Sequence, residues 1–223
     1  MYASVYRSAT EINSAMGRVY GHMGLAVITS MIVSFLVGNS ASLMTFFFTG
    51  AMKWVVIFAP LVAILAVSLS MEKMSKSALQ IFLHGFAALM GLSFATIFVV
   101  YNMGSIVSAF MSAAVLFGVM SGYGYFTKKN LDSLGQFMFI GLIAIIIASV
   151  INIFIGSTVM QMVISAIAVI VFLGLTAYDT QKIREMVSYD NDGKAEVMGA
   201  LTLYLDFINL FLSLLQLFGG KKD

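Results

Sequence analysis

Four stretches without a charged residue constrain this chain more than anything else in it. Between Arg18 and Lys53 lie 34 uncharged positions, between Lys53 and Glu72 lie 18, between Lys76 and Lys128 lie 51, and between Asp132 and Asp179 lie 46. A bilayer span takes about 20 predominantly apolar residues, so the gap from Lys53 to Glu72 holds one helix. The first gap also holds one, about Val19 to Val37, because Gly38, Asn39, Ser40, Ala41 and Ser42 read as a loop. The two longest gaps divide at turn chemistry, Asn102-Met103-Gly104-Ser105 and Gly156-Ser157-Thr158, into two helices each. A last apolar run, about Val197 to Phe218, is interrupted by Asp206 and makes the seventh. The first run is longer than the roughly 7 to 15 residues of a cleavable signal core, so it is expected to be a retained helix.

The expected fold is therefore all-α: a polytopic membrane protein with seven transmembrane helices. A polar N-terminal segment covers 1–18, a single seven-helix transmembrane domain 19–218, and a polar C-terminal tail 219–223. Composition agrees, since 61% of the 223 residues are hydrophobic and 10% charged, too little polar surface to cover a water-facing domain. A net charge of +2 supplies no basic field for nucleic acid, and the absence of Cys excludes disulfides and thiol ligands. With the N-terminus inside, nine basic residues (Arg7, Arg18, Lys73, Lys76, Lys128, Lys129, Lys182, Arg184 and Lys194) fall on the inner side and three (Lys53, Lys221 and Lys222) on the outer. This favours a cytoplasmic N-terminus. The two terminal lysines on the outer side run against the rule, so either the C-terminus is outside or the last segment enters and returns.

Asp206 stands about nine positions, roughly 13 Å, into the last run. Ionisable groups at such depth face a bundle interior or a water-filled cavity and mark ion or proton pathways; an acid hydrogen-bonded for packing is the alternative. Gly199, Thr202, Asp206, Asn209, Ser213, Gln216 and Gly220 recur at spacings of three and four, forming one helical stripe. Lipid would leave that polar seam unsatisfied, so the last helix is expected at the centre. Asp179 lies at the inner end of the sixth span, where pairing with Lys182 is the simple reading. Asp179 and Asp206 also occupy the inner halves of consecutive antiparallel helices. If their carboxyls meet, they cannot both ionise, and a shared proton becomes a switch. His22 and His84 read as a relay, haem ligands or core residues. Pro60 reads as a kink in the second span, Gly118 and Gly122 as a small-residue packing pair, and Asn152 as a hydrogen bond between helices. No nucleophile motif, metal-binding His pair or phosphate loop is present, so neither an enzyme nor a resident cofactor is expected.

The segments Ala177-Tyr178-Asp179-Thr180-Gln181-Lys182-Ile183 and Leu203-Tyr204-Leu205-Asp206-Phe207-Ile208-Asn209-Leu210-Phe211-Leu212 closely resemble the signatures of the Bax inhibitor-1 family, in its bacterial inner-membrane branch. Val19-Tyr20 to Leu25, Tyr123-Gly124-Tyr125 with Thr127-Lys128-Lys129, and Asn152-Ile153-Phe154 resemble that branch too. The resemblance implies a seven-helix fold with the last helix central, acting as a pH-sensitive calcium leak whose aspartate pair, here Asp179 and Asp206, is the proton sensor; because Ca²⁺ prefers six to eight oxygens, the two carboxylates are expected to form only a transient Ca²⁺ site. It also implies an inner (plasma) membrane location. Eukaryotic relatives are linked to suppression of cell death, and some bacterial relatives associate with a membrane-bound AAA protease. Many relatives carry an Arg ten residues after the second aspartate, where this sequence has Gln216, so an ionic contact there is absent. The uncharged run from Trp54 to Met71 offers no basic latch for the aspartates, which leaves Lys73 as the substitute.

Three functions follow as expectations. The first is a cation leak, with Ca²⁺ as permeant ion, gated by Asp179 and Asp206 and lined by the polar seam of Thr202, Asn209, Ser213 and Gln216. The second is a non-conducting regulatory protein that binds a membrane-bound protease or another membrane partner. The third, a proton-coupled transporter, lacks an internal repeat to favour it.

Overall fold

The computed structural model describes residues 7–222, so positions 1–6 of the expected N-terminal segment and Asp223 of the tail lie outside the described residues. The described chain is almost wholly helical: α1 Ala9–Gly38, α2 Ala41–Phe48, α3 Met52–Ser68, α4 Lys76–Ser93, α5 Ile97–Val100, α6 Met103–Phe126, α7 Asp132–Ile155, α8 Thr158–Tyr189 and α9 Lys194–Phe218. Short 3₁₀ turns lie at Met71–Lys73 and Phe94–Thr96. Six segments, α1, Lys76–Val100, α6, α7, α8 and α9, are long and apolar enough to cross a bilayer, and α2 with α3 adds a seventh as a pair bent by 75°.

Two boundaries depart from the hydropathy reading. Helix α1 begins at Ala9, well before the apolar run. Ser8 Oγ accepts from Glu11 N (3.3 Å) while Glu11 Oε2 accepts from Ser8 N (2.7 Å), a capping box that starts a helix regardless of hydropathy. Most of the described part of the polar segment is thus the first turns of α1. In the second span the sharp turn lies at Gly50 (φ 59°), where only glycine is unstrained, and α3 continues through Pro60.

The described residues fall into two compact units, Met103–Ser188 with Thr202–Gly220 forming the second and the remainder the first. In the first unit α1 and α4 are parallel and in register. His22 meets Gln80 (3.5 Å), Ser30 Oγ donates to the Ala87 carbonyl (2.7 Å), and Gly38 lies against Ala95 and Phe98. Parallel neighbours require the chain between them to recross. Helix α3 does so: Ser93 Oγ, at the end of α4, donates to the carbonyl of Val56, near the start of α3 (2.8 Å). Its length is about 25 Å, most of the hydrocarbon thickness.

The same logic fixes the last helix. Glu196, in its first turn, bonds Arg18 of α1 and Lys76 at the start of α4 (Nζ–Oε2 3.1 Å). Beyond its other end, Lys222 N donates to the Val100 carbonyl (2.9 Å) and Lys222 Nζ to that of Phe98 (2.7 Å). Within the first unit, the start of α9 and the residues after it are therefore held at opposite ends of the Lys76–Val100 span, with the terminal lysines at the end away from Arg18.

In the second unit small residues let helices approach. A Cβ on Gly124 of α6 would strike the Ala177 carbonyl of α8, and Ser121 and Thr180 join hydroxyls beside it (2.9 Å). The expected pair Gly118 and Gly122 instead faces open space, six and two residues before the contact at Gly124. Tyr178 covers Gly135, and Met138 covers Gly174, locking α7 to α8. These two helices connect through Gly156 (φ 69°), and Asn152 Oδ1 accepts from Ser157 N (3.1 Å). Phe207 and Phe211 of α9 pack edge to face on Phe110 (centroids 5.4 and 6.0 Å). Helix α9 is the most enclosed segment: 72% of its apolar window is buried, against 39% or less in each other span.

Single cysteines at Thr10 and Lys221, introduced into this cysteine-free chain, are expected to react with a membrane-impermeant maleimide from opposite sides; labelling of both from one side contradicts seven crossings. Gly124→Ala is expected to lower stability in detergent by about 1–3 kcal/mol through overpacking. Gly118→Ala, in open space, should leave it unchanged or raise it by up to about 1 kcal/mol; comparison of the two melting temperatures checks the assignment.

Candidate functional site

Helix α9 reaches the site from a well-capped start. Asp190 Oδ1 accepts from the backbone N of Asp192 and Gly193 (both 3.2 Å), and its Oδ2 from Ala195 N (3.1 Å). One turn on, Glu196 is 1% exposed and holds three cations: Arg18 bidentately (2.9 and 2.6 Å), Lys76 (3.1 Å) and Arg7 (3.6 Å). A buried carboxylate with several charge-assisted partners is a strong tether. The sequence around Glu196 gives no sign of this cluster, because its partners come from α1 and α4 and no local spacing reveals them.

Ten residues beyond Glu196, about 15 Å along the axis, the stripe brings Asp206 to a cavity of about 480 Å³ in the second unit. Helix α7 contributes Gln136, Phe139 and Leu142, α8 contributes Tyr178 and Asp179, and α9 contributes Thr202, Asp206 and Asn209. Asp179 and Asp206 share this cavity as interacting side chains. Asp206 is 4% exposed, and its Oδ2 lacks a hydrogen-bond partner among the described residues. No basic side chain lines the cavity. The simple pairing of Asp179 with Lys182 is not what forms: Lys182 directs its ammonium to Asp132 (2.9 Å) and Glu185 (3.2 Å).

The rest of the seam divides in two. Thr202 and Asn209 line the cavity, and Asn209 Nδ2 donates back to the Leu205 carbonyl (2.8 Å). Ser213 Oγ donates to the Asn209 carbonyl (2.7 Å). Gln216, the position lacking the arginine, accepts from Gln161 Nε2 (2.7 Å) and Ser165 Oγ (2.8 Å), and Gln161 Oε1 in turn accepts from Asn152 Nδ2 (3.2 Å). A neutral amide network thus closes one end of α7, α8 and α9. The spacing of the α9 stripe pointed to Gln216; its partners on α8 carry no signal without the fold.

Lys73, the expected latch, is exposed on the turn Met71–Lys73, belongs to the first unit, and forms no ion pair among the described residues. No group of three or more His, Cys, Asp or Glu suited to a metal occurs among the described residues. For Ca²⁺, which takes six to eight oxygens, the cavity offers two carboxyls with the amides of Gln136 and Asn209 and the hydroxyl of Thr202, an incomplete shell that water must complete.

The family model described as "Inhibitor of apoptosis-promoting Bax1" matches residues 12–223. The inner membrane protein YbhL of Escherichia coli (strain K12) is 38% identical over 226 residues, which cover 98% of this chain and 97% of that protein. RP147 of Rickettsia prowazekii (strain Madrid E) is 36% identical over 212 residues, 93% of this chain and 90% of the relative. YrjE of Lactococcus lactis subsp. lactis (strain IL1403) is 38% identical over 225 residues, 95% and 94% of the two. Both aspartates and every residue of the cavity lie within the matched range, and the chain is an integral membrane protein that belongs to the Bax inhibitor-1 family.

Proposed function

We propose that this protein is a non-enzymatic, pH-sensitive cation leak of the bacterial inner membrane, with its N-terminus cytoplasmic and Ca²⁺ as the permeant ion. The carboxyls of Asp179 and Asp206 are its gate. One observation carries the reading: a carboxyl on the most enclosed helix shares a cavity with a second carboxyl and has no cation beside it. Two ionised carboxylates in such surroundings repel strongly and each lacks a counter-charge, so the pair retains one proton between them when no cation is present. Loss of that proton leaves two charges that must separate or bind a cation, and either outcome moves α8 relative to α9.

The chemistry of the seam supports a path. Asn209 and Ser213 satisfy their donors on their own helix, which leaves oxygen lone pairs to solvate a passing ion. The amide network at Gln216 carries no charge, so it opposes a cation by closure and not by repulsion. An incomplete oxygen shell suits a leak, because an ion that binds weakly can leave.

In liposomes loaded with a calcium dye, the wild type is expected to pass Ca²⁺ at a rate that depends on pH, while Asp179→Asn and Asp206→Asn show rates flat across the same range. Unaltered pH dependence in both variants removes the pair from the mechanism. Absence of flux at every pH, together with recovery of a membrane protease by crosslinking in native membranes, replaces the leak with a non-conducting regulator.

A further inference from the structure

The cavity holding the aspartates is larger and more apolar than a metal ion needs. Six to eight oxygens at roughly 30 Å³ per water fill about half of its 480 Å³. The remaining wall is Phe139, Leu142, Phe172, Leu175 and Leu205. Gln136 and Phe139 stand at the rim on α7, with Phe139 58% exposed on a face that meets lipid in a bilayer. The cavity therefore has a polar end with a buried, unpartnered carboxyl oxygen, a greasy flank, and a rim at the exposed Phe139.

The groups around that oxygen leave its demand unmet. Helix α7 brings only the amide of Gln136, α8 brings Tyr178 and Asp179, and α9 brings Thr202 and Asn209. Lys182, three residues beyond Asp179, is engaged by Asp132 and Glu185. A buried carboxyl pair without a basic neighbour and an apolar flank that reaches an exposed rim together select a molecule with one positively charged donor head and a hydrocarbon tail. We propose that this cavity is a binding site for an amphiphilic primary ammonium, which enters from the bilayer, places its head between Asp206 and Asp179, and lays its tail along Leu142, Phe172, Leu175 and Leu205. An ammonium has three donors and no acceptor, so it satisfies both carboxyls at once and needs fewer protein oxygens than Ca²⁺. The inference rests on the cavity and not on conduction.

The full-length protein in zwitterionic-lipid nanodiscs, free of Ca²⁺, is titrated calorimetrically with dodecylammonium and with dodecanol, and the signal of empty nanodiscs is subtracted. Dodecylammonium is expected to bind saturably at one per chain, at least about tenfold tighter than the alcohol. In Asp206→Asn the ammonium should fall to the affinity of the alcohol, and Leu142→Trp, which fills the apolar flank, should block it. Equal affinity of the two probes for the wild type, or ammonium binding undiminished in either folded variant, overturns the proposal. Should Asp206→Asn not fold, Asp179→Asn with Leu142→Trp decides by the same readout. A wild type that binds the ammonium yet passes no Ca²⁺ at any pH keeps this site and removes the leak; Ca²⁺ flux without ammonium binding does the reverse.

Discussion

A carboxyl group on the most enclosed helix of the chain, with no cation beside it, is the constraint around which the second unit is organised. Burying such a group is costly unless it is neutralised or paired. Here the neighbour is another carboxyl, and the surrounding side chains are amides, hydroxyls and hydrocarbon. In the proposed function a proton or a guest cation supplies the missing neutralisation, and the pair is where the state of the solution would act on the fold.

The rest of the structure keeps α9 where that constraint applies. Its first turn is held by the Glu196 cluster, its apolar side rests on the phenylalanines of α6, and its far turn is tied through Gln216 to α8. Asp206 lies between these fixed points. Helix α8, which carries Asp179, is pressed against α6 at Gly124 and against α7 at Gly135 and Gly174. Both aspartates thus project from helices whose backbones are closely packed.

Much of this was legible in the chain itself because a bilayer imposes simple arithmetic. Uncharged runs of span length located the crossings, and Asp206 was conspicuous because a charge at that depth is rare. The three-and-four spacing of the α9 stripe pointed to Thr202 and Asn209, which line the cavity. What hydropathy could not reveal depended on local backbone chemistry or on distant partners. The capping box at Ser8 extends α1 into polar sequence, and Gly50 takes the sharp turn at the entry to the second span while α3 runs on through Pro60. Glu196 looks like any loop acid until α1 and α4 bring Arg7, Arg18 and Lys76 to it. The free choice of Lys182 among several acids fell to Asp132 and Glu185, which leaves Asp179 to its partner on α9.

The central claim, that Asp179 and Asp206 hold one proton between them inside the bundle, is open to infrared difference spectroscopy of the protein in lipid bilayers. With Ca²⁺ absent, the account predicts a protonated-carboxyl stretch at neutral pH that arises from this pair and shifts or disappears in Asp206→Asn. A spectrum without such a band, or with a band identical in wild type and in both aspartate variants, contradicts it.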